Sequence, residues 1–312
     1  MRRVTTVVAA TLLLALAAGL TLLGVGDRAG ALPDWQAFVL GIAQGVTELL
    51  PISSSGHLIL VPWLGDWKYL EEHDAFNQTF DVALHLGTLV AVVAYFRREM
   101  TALLVAFFRS LAHRAIRSPE ERLAWGVVVA TIPAAVVGAA LEDPIANHLG
   151  EPWQIAIFLA LFAALLWLAD RRPERLEMTE LSLPRAFAIG AAQTLALMPG
   201  VSRAGVTITA SRYLGLTRDQ AARFSFLLLT PIVLGAVLLK GVQDVLLGTL
   251  PPGWEGPFLV GTLAAAGSGL LAIDLLLGYL RRHDYTLFVV YRLVLAAVVV
   301  LIIATGVRDA TF

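Results

Sequence analysis

The sequence predicts an all-α polytopic membrane protein built from two related halves, and three observations carry this prediction. First, 58% of the 312 residues are hydrophobic and only 15% are charged, whereas a soluble domain carries about a quarter charged residues. Second, several uncharged runs approach or exceed the roughly 20 residues that cross a bilayer. Third, two polar segments interrupted by proline, residues 41–60 and 187–209, share a pattern. Such a pair indicates a binding site between two repeats.

The first hydrophobic run extends from Val4 to Gly26 and follows two arginines, Arg2 and Arg3. It is long for the apolar core of a signal peptide, although Ala29-Gly30-Ala31 fits a cleavage site. We therefore favour a membrane span within residues 1–30, and a cleaved signal peptide stays the alternative. In both interpretations the two arginines lie on the inner side.

A first repeat is predicted for residues 31–170. It begins with a re-entrant hairpin over residues 34–60, in which Pro51 ends one helical half. A serine-rich turn then opens the second half, whose free N–H groups and positive dipole end favour an anion. Three spans are predicted to follow, at residues 79–96, 123–141 and 153–169.

A second repeat is predicted for residues 185–306. It consists of a hairpin over residues 185–210 and three further spans, at residues 224–239, 258–280 and 286–306. The two hairpins can be aligned by their shared residues. Phe38, Gly41 and Gln44 match Phe187, Gly190 and Gln193 in spacing, and one gap then aligns Pro51 with Pro199 and Ser54 with Ser202.

The distribution of basic residues predicts the orientation of these segments. With Arg203 and Arg292 left out, the inner segments hold 17 Lys and Arg residues and the outer ones hold four. Because cytoplasmic segments are enriched in these residues, the first hairpin enters from outside and the second from inside, as in an inverted-topology repeat. Arg292 and Asp274 lie within spans, and we interpret them as a structural pair.

Candidate site residues concentrate in the first hairpin. Gln44 and Glu48 share one helical face because they are four residues apart, and Glu48 can act as a general base, hold a cation or cap the turn. The neighbouring hydroxyls, which belong to Thr47, Ser53, Ser54 and Ser55, suit phosphate oxygens, and one of them can be a nucleophile beside a base. His57 is a natural proton shuttle.

The second hairpin adds Ser202, Arg203 and Thr207. The guanidinium of Arg203 is a forked, permanently charged group that suits phosphate, and the hydroxyls of Ser202 and Thr207 can add hydrogen bonds. Together the two turns hold the parts of a phosphoryl-transfer or phosphate-hydrolysis site. Taken alone, His57 or His85 would be interpreted as a satisfied interior histidine.

These motifs resemble the undecaprenyl-diphosphatase family, the bacterial membrane phosphatases linked to bacitracin resistance. Residues 44–48 match its first signature, and PISSSGH at residues 51–57 matches its PxSSxGH segment. Residues 199–207 match its PGxSRSxxT signature, except that Ala204 replaces a serine. The resemblance covers about residues 34–306. Gln44 is the uncharged option at its position, so Glu48 is the only carboxylate within residues 41–60 and 187–209.

The resemblance implies hydrolysis of undecaprenyl diphosphate to the monophosphate and phosphate, which recycles the lipid carrier of cell-wall synthesis. It also implies a divalent cation, Mg²⁺ or Ca²⁺, and a multi-pass protein of the bacterial inner membrane whose site is reached from the periplasmic side. By carry-over, Ser54 is the candidate nucleophile and Arg203 binds the phosphates. Glu48 and His57 are base or metal partners, with Glu48 acting as metal ligand or as base for Ser54 through His57. A metal-activated water in place of Ser54 stays an alternative.

Two other functions compete with this interpretation. A lipid-phosphate flippase or transporter fits the inverted repeat with broken helices. A type-2 phosphatidic-acid phosphatase shares the SGH motif, but Thr209 stands where its second motif requires histidine. No nucleic-acid partner is expected, and the expected partners are the lipid substrate and the bilayer, with a homodimer left open. The absence of cysteine excludes disulfides and cysteine-ligated metals.

Overall fold

The computed structural model describes residues 2–24, 31–241, 250 and 252–311, and these residues form an all-helical protein. The α-helices are α1 (Arg2–Leu23), α2 (Asp34–Leu49), α3 (Ser54–Gly65), α4 (Lys68–Glu72), α5 (Asp74–His113), α6 (Pro119–His148), α7 (Pro152–Asp170), α8 (Leu183–Gln193), α9 (Arg203–Tyr213), α10 (Arg218–Lys240), α11 (Glu255–Leu280) and α12 (Thr286–Ala304). Within the described residues, seven helices are long and apolar enough to cross a membrane, namely α1, α5, α6, α7, α10, α11 and α12. The chain is therefore a multi-pass membrane protein.

Four shorter helices occupy the two predicted hairpins. Helices α2 and α3 have 16 and 12 residues, and α8 and α9 have 11 each. A bilayer requires about 20 helical residues, so none of the four can cross it alone. A 3₁₀ helix, Thr194–Leu197, lies between α8 and α9. In each pair, a turn that begins near a proline separates two half-helices.

Helix α5 is longer than the span predicted for residues 79–96. It extends from Asp74 to His113, and the backbone of Phe96 departs from helical geometry, with φ −99° and ψ 17°. The helix therefore kinks where the predicted span ends and continues for several turns beyond it. Helix α6 likewise extends past residue 141 to His148.

Helix α1 packs against α11 and supplies a partner that the sequence did not predict for Asp274. A Cβ added at Gly267 would lie 2.8 Å from the Leu14 side chain, which shows how closely the two helices approach. The Nε atom of Arg3 donates to Asp274 Oδ2 at 2.9 Å. The predicted pairing of Asp274 with Arg292 is therefore wrong, since Arg292 donates to backbone carbonyl oxygens elsewhere.

Residues 1–30 are predicted to be a membrane span or, alternatively, a cleaved signal peptide. The structure describes only residues 2–24 of this segment. Helix α1 contains most of the hydrophobic run from Val4. The alternative cleavage site falls largely on residues 29 and 30, which lie outside the described residues.

Glycines allow α2 to lie directly on α11. A Cβ added at Gly41 would collide with the Gly261 carbonyl, and one added at Gly45 would collide with Ser268 Oγ and the Ala265 carbonyl. In the other hairpin, a Cβ added at Gly190 of α8 would collide with the backbone of Ala130 in α6. This close packing matters for the site, because α2 carries Gln44 and Glu48.

We predict that Gly45→Ala destabilises the protein, because the added methyl group has no space at the α2–α11 contact. Overpacking of this kind costs about 1–3 kcal/mol, which is expected to lower the unfolding temperature in detergent by several degrees. Gly278→Ala is the matched control, since no atom of the described residues lies within 4 Å of its added Cβ. Equal unfolding temperatures for the two variants would contradict the packing described here.

Candidate active site

The two breaks between half-helices have the same unusual backbone. Ser53 and Ser202 both have φ 76°, a left-handed value that non-glycine residues seldom adopt. Each serine caps the helix that follows it: Ser53 Oγ accepts from the Gly56 N–H at 3.2 Å, and Ser202 Oγ accepts from the Gly205 N–H at 3.0 Å. Strained backbone that the surrounding structure maintains is concentrated at functional sites.

This shared geometry corrects the alignment of the two hairpins. Ser53 corresponds to Ser202, at a separation of 149 residues, which is also the separation of Gln44 and Gln193. No gap is needed, so the predicted match of Ser54 with Ser202 is wrong. That match rests on the spacing from Pro51 and from Pro199. The spacing differs between the two hairpins, because the capping serine lies two residues after Pro51 but three residues after Pro199. Ser54 and Arg203 are thus the equivalent first residues of α3 and α9.

Glu48 joins these two residues. Its side chain is buried, with 4% exposed, in the last turn of α2. Ser54 Oγ donates to Glu48 Oε2, and Arg203 Nε donates to Glu48 Oε1 at 3.0 Å. One carboxylate therefore contacts the first residue of a half-helix from each hairpin, and residues about 150 positions apart in the chain meet at a single group.

Arg203 is held by a partner that the sequence did not suggest. Its Nη1 donates to the Ser225 carbonyl oxygen at 2.8 Å, and Thr207 Oγ1 lies 2.8 Å from Ser225 Oγ. Ser225 belongs to α10, and no motif marked it. The Nη2 atom of Arg203 is buried and has no hydrogen-bond partner among the described residues. A buried donor without a partner costs free energy. An anion that accepts a hydrogen bond from Nη2 would remove this cost.

Two further groups lie beside the Glu48 carboxylate. Gln44 Nε2 donates to Glu48 Oε2 at 3.4 Å, while Gln44 Oε1 is buried without a partner in the described part of the chain. His85 Nε2 lies 3.5 Å from Glu48 Oε2, and His85 Nδ1 donates to the Asp81 carbonyl oxygen at 2.7 Å. His85 lies on α5, outside both hairpins, so no motif indicated that it belongs to the site.

His57 has different partners from those predicted. Its Nδ1 donates to the Ser53 carbonyl oxygen at 2.6 Å, and its Nε2 accepts from Tyr291 Oη at 2.6 Å. Ser54 donates to Glu48 directly, whereas one of the two predicted roles of Glu48, base for Ser54 through His57, places the imidazole between them. His57 is therefore a neighbour of the serine turn that α12 holds in place through Tyr291.

The remaining predicted hydroxyls bond locally. Thr47 Oγ1 donates to the Ala43 carbonyl oxygen at 2.7 Å, one turn earlier in its own helix. Ser55 Oγ lies 3.4 Å from Ser53 Oγ. Such bonds within a helix are common for serine and threonine in membrane spans. The contacts of Thr47 thus give it a local role, whereas Ser53 and Ser55 line the turn beside Ser54.

A family model described as bacitracin resistance protein BacA matches residues 37–298. The chain belongs to the BacA family. The match begins three residues into α2 and includes the rest of both hairpins, whereas α1 lies outside the matched residues.

Curated relatives agree with the BacA assignment. An undecaprenyl-diphosphatase of Geobacter metallireducens is 47% identical over 269 residues, which cover 86% of this chain and 97% of the relative. An undecaprenyl-diphosphatase of Thermomicrobium roseum is 45% identical over 279 residues, covering 86% of this chain and 98% of the relative. A third relative of that name, from Pelotomaculum thermopropionicum, is 43% identical over 271 residues.

A divalent cation, which the resemblance to this family implies, fits part of the site. No group of three His, Cys, Asp or Glu side chains among the described residues could hold a metal by itself. Two oxygen-bearing side chains are neighbours: the Gln44 amide contacts the Glu48 carboxylate through Nε2, and Gln44 Oε1 is buried without a partner among the described residues. Mg²⁺ is commonly bound by one or two carboxylates together with substrate phosphates. Glu48 and Gln44 therefore fit a cation that binds to these two side chains and to the phosphate oxygens of a substrate.

We predict that Arg203→Lys lowers phosphatase turnover by about 10²-fold or more, the usual effect of losing one donor to a developing charge. A lysine ammonium cannot contact Glu48, Ser225 and a phosphate at once, because it lacks the planar fork of arginine. Arg223→Lys is the matched control, since Arg223 forms an i,i+4 pair with Asp219 in α10. Near-normal turnover of a folded Arg203→Lys protein would remove Arg203 from the site.

Proposed function

We propose that this chain hydrolyses undecaprenyl diphosphate to undecaprenyl phosphate and inorganic phosphate, and so recycles the lipid carrier of cell-wall synthesis. The observation that carries this proposal is the contact of Glu48 with both Ser54 and Arg203. It brings a base, a hydroxyl and a guanidinium together in a membrane protein. The relatives named undecaprenyl-diphosphatase, at 43–47% identity, support the same substrate.

The terminal phosphate of the substrate would bind between the starts of α3 and α9. Helix N-termini attract anions through their free N–H groups and the positive end of the helix dipole. Here two such ends lie close together, because Ser54 and Arg203 contact one carboxylate. Arg203 Nη2, which is buried without a partner among the described residues, would donate to a phosphate oxygen.

The hydroxyl of Ser54 is the proposed nucleophile. Glu48 accepts the proton of Ser54 Oγ as the Oγ atom forms a bond to the terminal phosphorus. The bond between that phosphorus and the bridging oxygen breaks, its electron pair stays on the bridging oxygen, and undecaprenyl phosphate leaves. Water then attacks the phosphoserine, and the bond from phosphorus to Ser54 Oγ breaks as Glu48 returns its proton to that oxygen. The protons of the attacking water stay on the inorganic phosphate that is released. Arg203 stabilises the charge on the phosphoryl oxygens in both steps.

A divalent cation, Mg²⁺ or Ca²⁺, would be held by Glu48, Gln44 Oε1 and substrate phosphate oxygens. When bound, it supplies positive charge that offsets the negative charge of the diphosphate. A water nucleophile activated at that cation is the alternative to Ser54. Loss of activity in Ser54→Ala, with wild-type folding, would favour the serine.

The two hairpins would belong to an inverted-topology repeat. The equal 149-residue spacing, the shared backbone of Ser53 and Ser202, and the glycine contacts of α2 with α11 and of α8 with α6 support this proposal. In the proposed orientation in the bacterial inner membrane, the first hairpin opens outward. The diphosphate would then be reached from the periplasmic leaflet.

Phosphate release from a polyprenyl diphosphate by purified protein tests the proposed activity. We expect release in detergent without any gradient, its loss on addition of a chelator, and its return with excess Mg²⁺ or Ca²⁺. Movement of the lipid across a vesicle membrane without phosphate release would instead support a flippase or transporter.

We predict that Glu48→Gln lowers the rate by roughly 10²-fold or more, the scale of a lost general base. The substitution keeps the shape of the side chain and removes its charge. Cation titration then separates two roles of Glu48. If Glu48 holds the cation, half-maximal activity requires more cation; if it acts only as a base, the rate at saturating cation falls and the midpoint is unchanged.

Two results would check this prediction. Gln44→Glu is expected to keep activity, because a carboxylate is the other option of the family at that position. Wild-type turnover of Glu48→Gln at every cation concentration would overturn the assignment of the first hairpin.

We predict that a cysteine at Lys68 reacts with an impermeant thiol reagent in intact cells and that one at Arg114 does not. Both side chains are exposed, and the native chain has no cysteine, so each label reports one position. The opposite labelling pattern would overturn the proposed orientation while leaving the active-site chemistry in place.

A further inference from the structure

Arg292 of α12 is a fully buried arginine that has no acidic partner in the described part of the chain. Its exposed fraction is 0%, and none of the ion pairs among the described residues includes it. Arg212 is equally buried, but it donates to the Asp170 carboxylate at 3.3 Å. A buried charge costs several kcal/mol unless it is paired and hydrogen-bonded. The location of Arg292 therefore needs another explanation.

The guanidinium of Arg292 connects the two turns that begin the half-helices. Its Nη1 donates to the Pro51 carbonyl oxygen at 3.3 Å, and its Nη2 donates to the Gly200 carbonyl oxygen at 3.0 Å and to that of Val201 at 3.1 Å. Nε donates to the Leu159 carbonyl oxygen at 3.2 Å. One side chain thus touches both hairpins and α7.

Pro51 and Gly200 hold equivalent positions, each two residues before the capping serine of its turn. Where a helix breaks, carbonyl oxygens lose their partners within the helix, and buried ones must find others. A single planar fork with several donors can satisfy carbonyls from two turns at once. Its geometry then determines how far apart the two turns lie.

We propose that Arg292 is a positioning residue for the diphosphate site. By bonding both turns, it fixes the distance between Ser54 and Arg203. It also places a positive charge beside the two turns, and this charge forms no ion pair with a carboxylate among the described residues. The diphosphate neutralises that charge when it binds. This inference rests on the proposed phosphatase function, and it adds a residue to which that function assigns no role.

A double-mutant cycle tests the inference. We expect Arg292→Lys to lower kcat at least 10-fold, because lysine cannot bond both turns. In an Arg203→Lys background the same change should lower kcat less than 3-fold, because the placement of Arg203 no longer matters. Arg212→Lys is the matched control: its effect should be the same fold-change in both backgrounds, since residues without shared partners act independently.

The results of the double-mutant cycle either support or overturn the positioning role of Arg292. Wild-type kcat in folded Arg292→Lys, or an equal loss in both backgrounds, would overturn the positioning role. If Arg292→Lys does not fold, Gly205→Ala replaces it, because its added Cβ would lie 2.8 Å from Arg292 Nη1 and displace the guanidinium. Gly205→Ala must then show the same dependence on Arg203.

A binding measurement separates this inference from the proposed function. Methylenediphosphonate with Mg²⁺ should raise the unfolding temperature of the wild-type protein, and the rise should shrink in Arg292→Lys but not in Arg212→Lys. An equal rise in all three proteins would overturn the inference. Absence of phosphate release by the wild-type protein would refute the proposed function whatever the binding result.

Discussion

The site depends on one buried carboxylate. A charged group in the interior of a membrane protein is costly unless it is paired and hydrogen-bonded. Glu48 meets this requirement with partners from both hairpins, the Ser54 hydroxyl and the Arg203 guanidinium. Because those partners begin α3 and α9, satisfying the carboxylate also brings two helix N-termini together. The contacts that stabilise the buried Glu48 carboxylate thus also bring together the two helix N-termini that suit a phosphate.

Other features of the fold maintain this arrangement from three directions. The glycines of α2 let it lie against α11, which sets the position of Glu48. Ser225 of α10 holds Arg203. Arg292 of α12 bonds the carbonyl oxygens of both turns. Each support comes from a membrane-spanning helix and acts on a half-helix too short to cross the bilayer.

Much of the fold and site could be predicted from the sequence, because hydrophobic runs, basic residues and proline breaks are local signals. The sequence also predicts Glu48, Ser54 and Arg203 as site residues, because polar residues in apolar segments are conspicuous, and the structure brings these three side chains together. The partners of Arg292 and Asp274 and the place of His85 could not be found in this way. Those contacts depend on which helices are neighbours and how each is rotated, and the spacing of residues within one helix carries no such information.

An experimental structure with bound methylenediphosphonate and Mg²⁺ would show whether a diphosphate binds where the two hairpins meet at Glu48. We expect a terminal phosphonate oxygen at about 3 Å from Arg203 Nη2, the usual hydrogen-bond distance. Ser54 Oγ should lie next to the same phosphorus, and Glu48 should still lie between the two hairpins. A phosphonate bound away from Arg203 and Ser54, or hairpins that do not meet at Glu48, would contradict this expectation.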